Sequence, residues 1–209
     1  MFYLVRIPQL IKKIYPDYIW DMPSDNKTIY LTFDDGPHET ATPFVLDELK
    51  KYNAKATFFC IGKNVAAHPG IYKRVIDEGH AVGNHTFSHL NGRKVSSEDY
   101  LNDVIKAEDY IDSNLFRPPY GRITKFESQL LQTKKNPFKI IMWSVLSGDF
   151  DTGISPKKCL ENVVLKSGPG SIIVFHESDK AWDRVSYALP LVLEHFSKQG
   201  YSFLDLPKK

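Results

Sequence analysis

Short apolar runs, each followed by a stretch of helical periodicity, dominate the pattern along this chain. Residues 28–33 (TIYLTF) and 56–60 (ATFFC) are almost unbroken apolar or β-branched runs, as in strands buried on both faces. Residues 81–84, 139–143 and 171–175 repeat the pattern. Between them, Phe44, Val45, Leu46 and Leu49 recur at helical spacing within 42–51, and 69–78 reads as a helix stopped by Gly79. Ser96 or Ser97 caps a long helix running towards Asp112, with Glu98 or Asp99 in its first turn. Further helices are predicted near 156–164 and 184–198. Repeated strand-then-helix units predict parallel strands with helices outside, in an α/β barrel or a doubly wound sheet. Such folds gather their chemistry at the carboxyl ends of the strands.

Composition narrows this picture only slightly. The 209 residues suit one domain, and 42% hydrophobic with 25% charged content is ordinary for a globular protein. A formal charge of +2 with no dense basic stripe gives no reason to expect a nucleic-acid partner. Cys60 closes an apolar run and reads as a small core residue; a bridge to Cys159 is the lesser alternative. At the N-terminus, Arg6, Pro8, Lys12 and Lys13 interrupt an otherwise apolar stretch, which falls short of the roughly 20 residues a membrane span needs. No small-residue cleavage site follows it. Residues 1–26 are therefore expected as an arm packed on a domain spanning 27–209. The alternative is a basic amphipathic segment resting on a membrane surface. The expected location is cytoplasmic or peripheral at the inner membrane face, and the expected state a monomer.

Four motifs change the picture more. Asp34 and Asp35, in TFDDG at 32–36, follow the first strand, and two adjacent carboxylates repel unless a cation or a shared proton relieves them. A polar Asp-Gly turn is the bland alternative. His85 and His89, in HTFSH at 85–89, can reach one ion from a single helical turn. With Asp35 they make a two-histidine, one-carboxylate set with coordination positions left open, the layout of a catalytic site. Arg117-Pro118-Pro119-Tyr120-Gly121 is a stiff segment able to hold an N–H or a guanidinium in place, or simply a rigid turn. His176 ends the run 171–175; a satisfied core histidine is the usual explanation, but beside a metal it can deliver a proton.

Taken together, TFDDG, HTFSH, RPPYG at 117–121 and VFH at 174–176 make the sequence resemble the polysaccharide deacetylases, carbohydrate esterases with a NodB-homology domain. The resemblance covers roughly residues 27–206. It implies a distorted (β/α) barrel of about seven strands that removes N-acetyl groups from an amino-sugar or glycan substrate. It further implies a divalent metal, zinc first and cobalt or nickel as alternatives, on Asp35, His85 and His89. Asp34 would be the general base, Tyr120 would supply an oxyanion-binding N–H, His176 would protonate the departing amine, and Arg117 would orient Asp34. One motif departs from the family, which places an Asp where this chain has Leu146 and a Trp where it has Phe150. Because Leu146 cannot accept a hydrogen bond, Asp149 or Asp151 is expected to take over its supporting role. Competing readings are an amidase acting on a small amide, a metal-dependent oxygenase, and a catalytically impaired sugar-binding homologue.

Overall fold

The computed structural model describes residues 3–23 and 26–207. The ends of the expected arm and domain at 1, 2, 24, 25, 208 and 209 therefore lie outside the described residues. The arm carries helix α1 (Gln9–Ile14). The chain then runs β1 (Thr28–Asp34), α2 (Ala41–Lys51), β2 (Ala56–Cys60), α3 (Gly62–Ala67), α4 (Pro69–Asp77), β3 (Ala81–Asn84) and α5 (Ser97–Glu108). After β4 (Leu115–Phe116), a 3-10 turn at Pro119–Gly121 leads to α6 (Lys125–Thr133), β5 (Lys139–Ile140) and β6 (Val145–Leu146). Helix α7 (Pro156–Val164), β7 (Ile172–His176), α8 (Trp182–Lys198) and β8 (Ser202–Phe203) complete it.

Seven strands lie in the order β5-β4-β3-β2-β1-β7-β6, and β8 flanks the start of β1. Every pairing between these strands is parallel. This is the distorted barrel of about seven parallel strands expected from the sequence. The central strands are buried on both faces because both faces are covered. Phe33 stacks between Phe58 and Phe175, at centroid distances of 5.2 and 6.0 Å, and Val185, Leu189, Val192 and Leu193 of α8 pack in the same core. Burying one such side chain stabilises the fold by roughly 1.5–3 kcal/mol.

The arm is part of the sheet's construction. Its residues 5–7 run antiparallel to β6, with Leu146 N donating to Val5 O (2.8 Å) and Ile7 N to Ser144 O (3.0 Å). Further along, Ile19 exchanges hydrogen bonds with Ile140 O and Met142 N beside β5. The arm thus covers both exposed sheet edges, which would otherwise leave unpaired backbone groups. Lys12 pairs with Asp21, and Trp20 is buried against the second core cluster with Phe116 and Phe138. Leu10 and Ile14 of α1 stay exposed. Among the described residues no helix is long and apolar enough to cross a membrane.

Cys60 and Cys159 are both buried and free, so the bridge considered from sequence is not formed. The helix after Ser96 ends at Glu108, short of Asp112, and Ser96 is its cap, accepting from Asp99 N at 3.1 Å.

Candidate active site

Backbone pairing alone collects the four motifs at one end of the sheet. Asp34 ends β1 and is the register partner of His176 at the end of β7. His85 N donates to Cys60 O at the end of β2, and Arg117 N donates to Asn84 O at the end of β3. Each functional side chain therefore stands at the carboxyl end of a strand, as expected.

His85 and His89 do not share a helical turn, as the four-residue spacing predicted. They lie in a loop in which Thr86 and His89 both take left-handed backbone, φ 64° and 60°. Such backbone disfavours a helix, and the loop is held open by other bonds. Phe87 N and Ser88 N donate to Asp103 Oδ2, Thr86 N to Asn84 Oδ1, and Gly62 N to Thr86 O. Asp35 also sits at positive φ (77°), a conformation that Asp tolerates better than most residues. Asn64 Nδ2 donates to its carbonyl at 2.7 Å.

These loops bring Asp35, His85 and His89 together, with one potential ligand atom from each within 4.8 Å of the others. Asp35 Oδ1 lies 3.2 Å from His89 Nε2 and 3.6 Å from His85 Nε2. The donor set fits a divalent cation on three counts. Asp35 Oδ1 is a buried oxygen with no hydrogen-bond partner, an unmet demand that a cation would satisfy. His85 Nδ1–H donates to Arg117 O at 2.7 Å, which fixes the ring and turns Nε2 inward. Burial lowers the His85 pKa to about 4 against the pull of Asp34 and Asp35, leaving the neutral imidazole that a metal requires. Burial acts to raise Asp35, yet the imidazoles of His89, His176 and His85 hold it well below the usual carboxylate range.

Asp34 is wired differently. Its Oδ1 accepts from Arg117 Nη1 at 2.6 Å. Arg117 is fully buried and spends its other donors on Thr32 Oγ1 (2.7 Å), Ile141 O (3.2 Å) and Met142 O (2.9 Å), with its guanidinium 4.1 Å from the Phe59 ring centroid. Thr32 belongs to the TFDDG motif, but its apolar neighbours hid this hydroxyl from the sequence reading.

His176 is held by Asp149. Asp149 Oδ2 accepts from His176 N (2.6 Å) and Oδ1 from Nδ1–H (2.8 Å). Burial would lower the His176 pKa, but Asp149, with Asp35 and Asp34 behind it, raises it to about 9. Of the two candidates for the role that Leu146 cannot fill, Asp149 is in contact with His176. Asp151 instead accepts from Gly153 N and neighbours Tyr3. Leu146 is nearly buried and pairs with the arm.

The protonated imidazole stabilises the fold fully below its ordinary pKa of 6.5, and that contribution is lost as pH climbs through about 9. Asp149→Asn removes the charge that holds the pKa up. The alkaline limb of kcat is expected to move to lower pH in this variant, with kcat at neutral pH reduced; an unmoved limb in a pH–rate profile would show that Asp149 does not set the titration.

Tyr120 is 61% exposed, at φ 60°, with its ring 4.6 Å from that of His89. It therefore forms part of the site's rim. Gly121 (φ 63°) is required beneath it, since a Cβ there would lie 2.8 Å from Trp143. Sequence reasoning passed over Glu177, whose buried carboxyl oxygens have no hydrogen-bond partner. Burial pushes its pKa up to about 8, and its carboxyl occupies the space that a Cβ on Gly36 would need.

Three side chains that could hold a metal ion thus stand beside a separately anchored carboxylate and a separately anchored imidazole. Residues 21–136 match the family model described as polysaccharide deacetylase. The chain is 39% identical over 197 residues to a peptidoglycan-N-acetylglucosamine deacetylase of Bacillus cereus, covering 91% of this chain and 70% of that one. Its fold matches the Bc1960 peptidoglycan N-acetylglucosamine deacetylase, solved with 4-naphthalen-1-yl-N-oxidanyl-benzamide. That match has a TM-score of 0.87 and 35% identity, over 96% of this chain and 95% of the other. It also matches BA3943 of Bacillus anthracis, described as a CE4 family pseudoenzyme, with a TM-score of 0.78 and 26% identity over 90% of this chain and 66% of that one. The chain belongs to the polysaccharide deacetylase family.

Proposed function

We propose that this chain hydrolyses the N-acetyl group of N-acetylglucosamine units in peptidoglycan. The observation that carries the reading is the pairing of Asp34 and His176 across β1 and β7, each with its own anchor, beside the three-ligand cluster. Asp35, His85 and His89 would hold a divalent cation, zinc ahead of cobalt or nickel, which would supply Lewis acidity and lower the pKa of a water. Asp34, oriented by Arg117, takes the proton from the attacking water. As the new C–O bond forms at the acetamide carbon, the carbonyl electron pair moves onto oxygen, for which we assign the Tyr120 N–H as donor. His176 has its Nδ1–H committed to Asp149, so the proton on Nε2 passes to the departing amine as the C–N bond breaks. The products are acetate and a free amino sugar.

The relatives named above support the substrate. Likeness to a pseudoenzyme favours a binding-only homologue as the second reading, whereas the intact Asp149–His176 pair favours turnover. Acetate release from a panel of peptidoglycan fragments, N-acetylglucosamine oligomers and small amides tests the choice. Release is expected from the glucosamine-containing glycans. Glycan binding without acetate from metal-loaded protein would support the second reading, and release from small amides alone would support an amidase.

A further inference from the structure

The N-terminal arm reaches the catalytic end of the sheet. Its antiparallel pairing with β6 sets Arg6 opposite Val145 and joins Val5 O to Leu146 N. Continuing this register brings Tyr3 to Gly148, where a Cβ would lie 2.7 Å from the Tyr3 hydroxyl. Gly148 sits at φ 80°, so the loop turns sharply under the phenol. The next residue is Asp149, which grips His176 through two hydrogen bonds. The Tyr3 ring packs on Phe150 (centroids 5.1 Å, tilted 58°), and Phe150 meets the His176 ring edge-on (5.2 Å, 73°). Beyond Phe150, the Tyr3 hydroxyl is near enough to the Asp151 carboxylate to feel its charge.

We propose that Tyr3 is a positioning residue for the proton donor His176, acting through Phe150 and the 148–151 loop. Tyr3 touches neither substrate nor metal ligand in this role. Its ring packs on Phe150, which in turn meets the imidazole edge-on, and its hydroxyl lies over Gly148 at the start of the loop. Aromatic pairs of this kind hold preferred tilted geometries, so the contact fixes orientation as well as filling space. Proton delivery is thereby coupled to seating of the arm on β6. This inference rests on the proposed deacetylase reading and extends it to a residue outside the four motifs.

The test exploits the leaving group. Hydrolysis of an N-acetyl amide needs a proton on the departing nitrogen, whereas p-nitrophenyl acetate releases a stable phenolate that needs none. Tyr3→Ala is expected to lower kcat on N-acetylglucosamine oligomers about tenfold while KM and the nitrophenyl ester rate stay within about twofold. Tyr3→Phe, which keeps the ring, should restore most of the amide rate. Equal losses on both substrates, or no loss on the amide, would overturn the proposal. Wild-type protein that releases no acetate in the presence of metal would instead overturn the deacetylase reading, so the two failures are distinguishable.

Discussion

Asp34→Asn is expected to lower kcat for acetate release by about 10²–10⁴-fold while a divalent metal stays bound. The substitution keeps the size of the side chain and an oxygen able to face Arg117, so the local packing survives. What it removes is the group that can take a proton from the attacking water. The proposed metal ligands are untouched, because Asp35, His85 and His89 converge without Asp34. Metal content measured on the purified variant, beside its kcat, separates the two roles. A variant that stayed active would end the assignment of Asp34 as base. One that lost its metal would make Asp34 a ligand.

The second large effect is at Arg117. This guanidinium is fully buried and its partners are Asp34, Thr32 and two backbone carbonyls. Arg117→Met removes the charge and leaves the nearly buried Asp34 without its partner. Breaking one side of such a buried pair costs about 3–5 kcal/mol, because the remaining charge stays desolvated. Asp34 also loses the donor that orients it, so its role as base suffers with the fold. An unfolding free energy lowered by that amount, read from urea denaturation, and a reduced kcat are expected together. The double variant Asp34→Asn/Arg117→Met should recover part of the lost stability, since no unpaired buried charge remains. A single variant as stable as wild type would contradict the buried-pair account.

Much of this was legible in the sequence, for identifiable reasons. Strands β1, β2, β3 and β7 are runs of four to seven residues buried on nearly every position, which makes an apolar run readable. Strands β4, β6 and β8 have two residues each, too few to display any period, and they exist through pairing with distant partners. Helix α6 carries a capping box from Thr124 to Glu127, a local signal that an apolar count does not register. The metal-type cluster was readable as a set of residue types, but its geometry was not. His85 and His89 converge through two left-handed residues and the Asp103 contacts rather than through helical spacing. The arm's role was the least visible. Its apolar residues suggest packing or a membrane surface, and only long-range pairing with 140–146 places Tyr3 beside the His176 loop. Likewise, the sequence left Asp149 and Asp151 as equal substitutes for the missing Asp. The choice follows from Asp149 lying in the loop after β6, where it meets both the backbone and the ring of His176 at the end of β7.

The central claim is a metal centre on Asp35, His85 and His89 that drives amide hydrolysis. Its most direct test is acetate release from an N-acetylglucosamine oligomer by the purified chain as prepared, after chelation, and after zinc is restored. The account predicts release that stops with the chelator and returns with the metal, with His85→Ala inactive throughout and unable to retain zinc. Acetate release undiminished in chelated protein, with zinc content brought to zero, would contradict it.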